Sequence, residues 1–191
     1  MNIVWFKRDL RTHDHEALAL AAKNGDVLPL YILEPELWKQ PDMCYRHYAF
    51  LQDCLHELDQ DLEAMGQKLI IRVGDALDIL EDIKQRYPIE GLWSHQETWN
   101  GWTYQRDQLV SKWCKENSIL WREPVQNGVI RCLKNRDGWS SRWYQQMKKP
   151  TLTNQLKLKN IKEPIDQLPN HEALGLNDEC VKKIQKGGRS E

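Results

Sequence analysis

Hydrophobic and polar positions alternate along the chain in blocks that predict strands and helices in regular succession. Short apolar runs, typical of buried strands, occur at residues 3–6, 27–33, 69–73, 91–94 and 119–121. Helical spacing or composition fills the intervals between them, at residues 16–22, 45–65, 76–87 and 102–115. This alternation predicts an α/β fold: a doubly wound, five-stranded, mostly parallel sheet of the Rossmann-like kind, with helices on both faces.

The pattern changes after Gly138. A short helix is predicted at residues 140–147, and prolines and glycines then punctuate a region without a long apolar period. We therefore expect an α/β domain over residues 1–147 and an extended connector over residues 148–191.

Composition indicates an ordinary globular protein, with a net charge of −1, 40% hydrophobic residues and 29% charged residues. No apolar run is long enough to cross a membrane, and Lys7, Arg8 and Asp9 interrupt the only apolar run near the N-terminus, which excludes a signal peptide there. We expect a cytoplasmic monomer without a membrane partner. The five scattered cysteines predict reduced thiols rather than disulfides or a zinc site.

The most informative segment is the first strand with the charged turn after it, Val4-Trp5-Phe6-Lys7-Arg8-Asp9-Leu10-Arg11 and then Asp14. An apolar strand leads directly into charge, and strand ends at the opening of an α/β sheet form binding crevices. Arg8 and Asp9 lie nearest that end, so they are predicted to touch a ligand. For Asp14 we favour a structural role as the cap of the following helix, with Arg11 pairing with a carboxylate. No glycine-rich phosphate loop comes after the strand, which disfavours standard dinucleotide and P-loop sites.

This motif resembles the opening of DNA photolyases and cryptochromes, and the similarity extends along the chain. Further resembling segments are His47-Tyr48-Ala49-Phe50-Leu51, Gly74-Asp75, Gln96-Glu97-Thr98, Arg106-Asp107 and Gln185-Lys186-Gly187-Gly188-Arg189-Ser190-Glu191. The last segment is similar to the family's entry into its helical flavin domain. The resemblance therefore implies an N-terminal antenna domain, truncated before that second domain.

In that family the N-terminal domain holds an auxiliary chromophore: a folate such as methenyltetrahydrofolate, a deazaflavin or FMN. The helical domain holds FAD and the UV-damaged DNA, so the resemblance implies no catalytic residue and no lesion-splitting activity in this fragment. The antenna site could also be empty when the second domain is missing. We expect no metal, because His13 and His15 around Asp14 cannot complete a site alone.

Candidate chromophore contacts come from the strand ends and from the resemblance. They are Arg8, Asp9, Glu34, Arg46, Glu97, Asn100 and Trp102, with Glu36 a further crevice candidate. One departure matters: folate-binding photolyases usually have a carboxylate directly after the residue matching Asn100, where this chain has Gly101. Trp99 and Trp102 could stack on a chromophore there or could simply pack.

Three functions fit these observations. The first is the light-harvesting domain of a photolyase, a carbon–carbon lyase that repairs cyclobutane pyrimidine dimers with blue or near-UV light. The second is a cryptochrome-type photoreceptor, which shares this domain, and the third is a stand-alone nucleotide-binding α/β module of the universal-stress type. The missing glycine-rich turn counts against the third.

One segment remains outside this assignment. Residues 131–162 carry nine lysines and arginines against one acid, Asp137, with Trp139, Trp143 and Tyr144 interleaved. Basic and aromatic residues together can bind nucleic acid. A charge run more often marks a solvated segment, so the sequence favours a connector facing the acidic flank of another domain.

Overall fold

The structure, a computed structural model, describes residues 1–152, 156–177 and 184–188. Its five strands are β1 (Asn2–Phe6), β2 (Val27–Leu33), β3 (Ile70–Val73), β4 (Gly91–Trp93) and β5 (Leu120–Arg122). They form one sheet in the order β3-β2-β1-β4-β5, and every neighbouring pair is parallel. The predicted doubly wound α/β sheet is confirmed, with β1 at its centre.

In the part of the chain that the structure describes, six helices accompany the sheet: α1 (Glu16–Lys23), α2 (Pro35–Trp38), α3 (Tyr45–Ala64), α4 (Ala76–Arg86), α5 (Gly101–Glu116) and α6 (Trp139–Met147), with a 3-10 turn at Glu172–Leu174. The predicted boundaries agree to within one residue. The sequence did not predict α2, because four residues are too few to display a helical period.

Side chains alternate between the two faces of the sheet, and both faces are covered. Val4, Phe6 and Leu33 pack with α1 and α3, whereas Ile3, Trp5 and Leu30 pack with α4 and α5. This double coverage explains why β2 is apolar from end to end, since neither face of it meets water.

The turn into α1 differs from the prediction. His15, not Asp14, is the N-cap residue, and its Nδ1 accepts the hydrogen of Leu18 N at 3.0 Å. An N-cap residue needs an extended backbone, whereas Asp14 has a φ of +50°. The Asp14 carboxylate instead accepts from Leu152 N at 3.0 Å. Arg11 also differs, because it donates to the carbonyl of Asp14 rather than pairing with a carboxylate.

Residues 156–177 run back along the domain without a strand or an α-helix, and they include the 3-10 turn at Glu172–Leu174. Leu158 N donates to Met65 O at 2.7 Å, and Asp166 N donates to Ile71 O at 2.8 Å. Leu174 and Leu176 are buried among the side chains beside α1 and α3. This segment therefore contributes apolar surface to the same core that the sheet builds.

Among the described residues, no helix combines the length and the apolar content that crossing a membrane would require. The four described cysteines, Cys44, Cys54, Cys114 and Cys132, are free thiols. Cys180 and the end of the predicted family segment, residues 189–191, lie outside the described residues.

Candidate functional site

A cavity of about 890 Å³ opens at the carboxyl edge of the sheet. Its walls come from the turn after β1, the turn after β2 and the first half of α3. Apolar and aromatic side chains, among them Phe6, Leu37, Trp38 and Phe50, share the lining with charged groups. Loops at this edge of a doubly wound sheet form its usual ligand crevice, and the volume suits a small organic ligand.

Four of the seven predicted contact residues line this cavity: Arg8, Asp9, Glu34 and Glu97. They come from the ends of β1, β2 and β4, which the parallel register brings to one edge. Arg8 is exposed at the mouth, with its guanidinium carbon 4.0 Å from the centre of the Trp99 ring. This cation–π contact holds a positive charge at the cavity entrance.

The other three predicted contacts have different surroundings. Asn100 is the N-cap of α5, where its Oδ1 accepts from Thr103 N and its Nδ2 donates to Asp42. Arg46 is exposed on α3 beside an open depression that shares His47 and Phe50 with the cavity. The ring centre of Trp102 lies 5.8 Å from the guanidinium carbon of Arg106. Glu36, the further crevice candidate, is exposed and pairs with Lys39. None of these four is among the described residues that line the cavity.

A buried ion network supports the cavity wall. Arg106, only 8% exposed, binds the carboxylates of Glu34, Glu97 and Asp107. Lys7 Nζ lies 3.1 Å from Asp107, and Arg131 joins Asp107 to Glu123. The network thus holds three cations against four carboxyl groups, which leaves one carboxyl in excess.

Glu34 is the carboxyl group of this network whose pKa is raised. Burial raises its pKa to about 7, although Arg106 pulls the pKa down, and Glu97 raises it further. One oxygen of Glu34 binds Arg106, while its buried Oε1 has no hydrogen-bond partner among the described residues. A buried polar atom without a partner is costly, so it needs a ligand group or water to satisfy it. Glu34 also lines the cavity, so its unpartnered oxygen is a candidate hydrogen-bond acceptor for a ligand bound there.

A second buried cluster lies beside the network. The Asp9 carboxylate accepts from Lys7 N at 2.9 Å, and one of its oxygens lies 2.6 Å from His95 Nδ1 and 2.9 Å from His15 Nε2. Burial alone would raise the pKa of Asp9, but His15 and His95 outweigh it and hold that pKa well below its usual range. Burial lowers the pKa of His15 despite the neighbouring Asp9. Asp9 thus fixes the turn after β1 as well as lining the cavity.

The arrangement of Asp9, His15 and His95 is close enough to suggest a metal site, since their candidate ligand atoms lie within 4.8 Å of one another. The His15 contacts argue against one. Nδ1 of His15 accepts a hydrogen from Leu18 N, so the neutral ring carries its proton on Nε2, the nitrogen that faces Asp9. A metal-binding histidine normally donates its other N–H instead. We therefore describe the cluster as a hydrogen-bonded support.

Sequence reasoning missed His95 and the supporting role of Arg106. His95 comes two residues after β4, so the strand-end rule that selected Arg8 and Asp9 could have selected it. Arg106 and Asp107 form a charged pair inside an otherwise amphipathic helix. Their burial could not be predicted, because it depends on Glu34 and Glu97 from distant turns.

The fold and the site together define a doubly wound α/β domain with an aromatic-lined, charge-rimmed crevice for an organic ligand. A sequence model of the family "DNA photolyase" matches residues 2–166. The chain therefore belongs to the DNA photolyase family, which includes the cryptochromes.

Curated relatives include both activities by name. A deoxyribodipyrimidine photo-lyase of Synechococcus sp. is 31% identical over 50% of this chain and 20% of its own length. A chloroplastic/mitochondrial cryptochrome DASH of Oryza sativa is 35% identical over 50% of this chain and 18% of its own length. The chain thus spans about a fifth of the length of these relatives.

Solved structures share the fold. A cryptochrome of Synechocystis sp. aligns with a TM-score of 0.74 at 19% identity, covering 90% of this chain and 40% of the cryptochrome. An archaeal photolyase from Sulfolobus tokodaii aligns with a TM-score of 0.67 at 21% identity, covering 84% of this chain and 38% of the photolyase. That photolyase is described as holding two FAD molecules, with the implication of a novel light-harvesting cofactor.

Proposed function

We propose that this chain is the N-terminal light-harvesting domain of a deoxyribodipyrimidine photolyase, and that its cavity binds a planar antenna chromophore. The observation that carries the proposal is the aromatic-lined cavity at the sheet edge, which is also lined by Glu34, a residue whose buried Oε1 has no partner among the described residues. Methenyltetrahydrofolate, a deazaflavin and FMN all have ring N–H groups, and such an oxygen can accept a hydrogen bond from one of them. The archaeal relative described with two FAD molecules adds FAD to these candidates.

The residues present fit such a group. Leu37, Trp38 and Phe50 give apolar surface for an aromatic ring, and the 890 Å³ volume lies within the usual range of about 300–1,000 Å³ for ligand sites. Arg8 and Arg11 at the lining supply donors for an anionic substituent. A bound chromophore would supply absorption of blue or near-UV light, while the chain would bind it, orient it and exclude water.

In this proposal Arg106 and Asp9 do not contact the chromophore; they hold other residues of the site in place. Arg106 holds Glu34 and Glu97 through its two terminal nitrogens, which fixes where each carboxyl can meet a ligand. Asp9 holds the turn that presents Arg8. The buried network would thus keep the site formed before the chromophore arrives, which reduces the ordering cost of binding.

The chain spans only about a fifth of the length of its curated relatives. The repair of DNA is therefore proposed for a longer protein that contains this chain, not for the chain alone. In that proposal FAD and DNA carrying cyclobutane pyrimidine dimers bind to a further, helical part, in a monomeric protein. The similarity to cryptochrome DASH supports a second candidate, a blue-light photoreceptor with the same antenna domain. Membership of the photolyase family argues against the stand-alone nucleotide-binding module.

Titration of the purified chain with methenyltetrahydrofolate, a deazaflavin, FMN and FAD tests the proposal. We expect one of them to bind with a stoichiometry of one, seen in absorbance and fluorescence. Arg8→Ala should weaken binding about tenfold or more, because it removes a charge-assisted hydrogen bond of about 1.5–3 kcal/mol. Arg122→Ala is the matched control, since Arg122 is also an exposed arginine that lies over a tryptophan ring, 5.5 Å from the centre of Trp93, and it is not among the described residues that line the cavity. Because the site could be empty without a flavin domain, the same titration is repeated on a longer protein that carries this chain together with a helical flavin domain. Absence of binding of all four chromophores by both proteins would contradict the proposal.

Illumination of the chain with dimer-containing DNA and reduced FAD tests the division of roles. We expect no repair above the protein-free control, because the resemblance places FAD and lesion binding in the other part of such proteins. Repair by this chain alone would overturn that division.

A further inference from the structure

The basic segment that the antenna site leaves unexplained includes α6, and no residue of this helix is buried. Two of its aromatic side chains are exposed to solvent: Trp143 by 36% and Tyr144 by 58%. Their rings meet edge to face, with centres 5.1 Å apart. Exposed apolar side chains that lie together on a folded surface are candidates for an interaction site.

One face of α6 is fixed to the loop after β5. Trp139 Nε1 donates to Gly128 O at 2.9 Å, and Gln146 Nε2 donates to Val125 O at 2.7 Å. Trp143 lies so close to Gly128 that a Cβ there would fall 1.9 Å from its ring. The helix is therefore held in place by one face, and it presents Tyr144 and the outer part of Trp143 on the other.

Four exposed cations lie within ten residues of these rings along the chain: Lys134, Arg136, Arg142 and Lys148. Among the described residues, none of the four has a carboxylate within ion-pair distance. Arg142 donates to the backbone carbonyl of Asp137, and Arg136 lies 5.5 Å from the Trp139 ring. Asp137 is the only acid between residues 131 and 162. Lys149 is left out of this group, because it lines a small cavity with Asp14 and Glu16.

We propose that this α6 patch, defined by Lys134, Arg136, Arg142, Trp143, Tyr144 and Lys148, binds single-stranded nucleic acid. The unpaired cations neutralise backbone phosphates, and the two exposed rings stack on unpaired bases. Duplex nucleic acid could use the cations but not the rings, because its bases are already stacked. An acidic protein surface would likewise use the cations alone. The combination of charge and exposed rings is what favours a single strand.

Fluorescence anisotropy tests the proposal, with the full 191-residue chain and a labelled oligothymidylate. A length of about 16 nucleotides is suitable, because a single OB-fold domain covers at most about that many nucleotides. We expect binding whose logarithmic salt dependence has a slope of roughly −3, from four phosphate contacts at about 0.7 each. An oligouridylate of the same length serves as the RNA probe. Binding of either strand supports the proposal, and a preference identifies the kind of strand.

Tyr144→Ala should weaken this binding about 5- to 100-fold, because stacking is lost while every charge remains. Arg142→Gln and Lys148→Gln should each reduce the salt slope by about 0.7. The matched controls lie on α5: Tyr104→Ala, another half-exposed tyrosine, and Lys112→Gln, another exposed lysine. Neither control should change the affinity or the slope.

Two results would overturn the proposal. One is no detectable binding of either single strand at low salt. The other is binding that Tyr144→Ala leaves unchanged and that duplex DNA or heparin matches in strength, which would show a general polyanion surface, such as one facing an acidic protein. Tyr144 is more than half exposed, so its replacement should leave the fold intact, and circular dichroism verifies this.

Discussion

The turn after β1 and the α6 patch both combine basic residues with tryptophan, but the charges of the turn are mostly buried and paired, whereas the cations of the patch are exposed. In the turn, Lys7 is buried and close to Asp107 and Glu97, while Asp9 is enclosed by two histidines. In the α6 patch the cations are exposed and have no carboxylate partner among the described residues. The difference lies in the partners that distant segments supply, which local charge density does not reveal.

This comparison separates two uses of charge. Buried, mutually paired charges hold a cavity wall in one geometry, because breaking any pair leaves an uncompensated charge in a low-dielectric interior. Exposed cations cost little to maintain and remain available for an anionic partner. We therefore expect substitutions in the turn to affect stability strongly, and substitutions in the patch to affect binding alone.

The largest effect is expected for Asp9→Ala. The change leaves His15 and His95 without their shared acceptor and frees Lys7 N, so the free energy of unfolding should fall by about 3–5 kcal/mol. Urea denaturation measures this. Asp137→Ala is the matched control in the basic segment, and a loss for Asp9→Ala as small as that of the control would contradict the account of the turn.

Glu34→Gln should change how stability depends on pH. The folded state keeps the Glu34 proton up to about pH 7, whereas the unfolded chain releases it near 4.5, so rising pH across this window destabilises the wild type. Relative to the Gln variant, the wild type should lose up to about 3 kcal/mol between pH 4.5 and pH 7. Denaturation at several pH values provides the test, with the exposed Glu36→Gln as control. Parallel profiles for wild type and Glu34→Gln would show that burial does not perturb Glu34.

Asn100→Ala should lower the free energy of unfolding by about 0.5–2 kcal/mol, because it removes the cap of α5. Its effect on chromophore affinity should be small, in contrast to the expectation from the sequence. Thermal denaturation and chromophore titration of the same variant separate the two roles. A loss of binding at unchanged stability would restore Asn100 to the site.

The smallest effect is expected in the α6 patch. The double variant Lys134→Gln, Lys148→Gln should change the free energy of unfolding by less than about 0.5 kcal/mol, since exposed residues without partners rarely contribute more. Denaturation in urea tests this too. A loss above about 1 kcal/mol would mean that these lysines serve the fold after all.

Much of the fold could be predicted, because its signals are local. The apolar run at residues 27–33 gave β2 its bounds, and the spacing of Tyr48, Leu55 and Leu62 gave α3 its buried face. Of the site, the strand-end rule brought Arg8, Asp9, Glu34 and Glu97 together correctly. Whether each of them contacts a chromophore remains a prediction.

The rest depends on contacts between distant segments. The sequence offered Asp14 as the helix cap, but a left-handed backbone at Asp14 passes that role to His15. Asn100 was expected at the ligand, and whether it contacts one remains a prediction. Its contact with Asp42 could not be predicted, because Asp42 lies in a turn 58 residues away. The burial of Arg106 requires carboxylates from distant turns, which no local pattern displays.

Hydrogen–deuterium exchange with and without the chromophore selected by titration tests the central claim most directly. If the cavity at the sheet edge is the antenna site, protection should increase in residues 7–14 and 34–38, which form its walls, and remain unchanged in α6. Protection confined to α6, with residues 7–14 and 34–38 exchanging as before, would contradict the assignment of the cavity as the light-harvesting site.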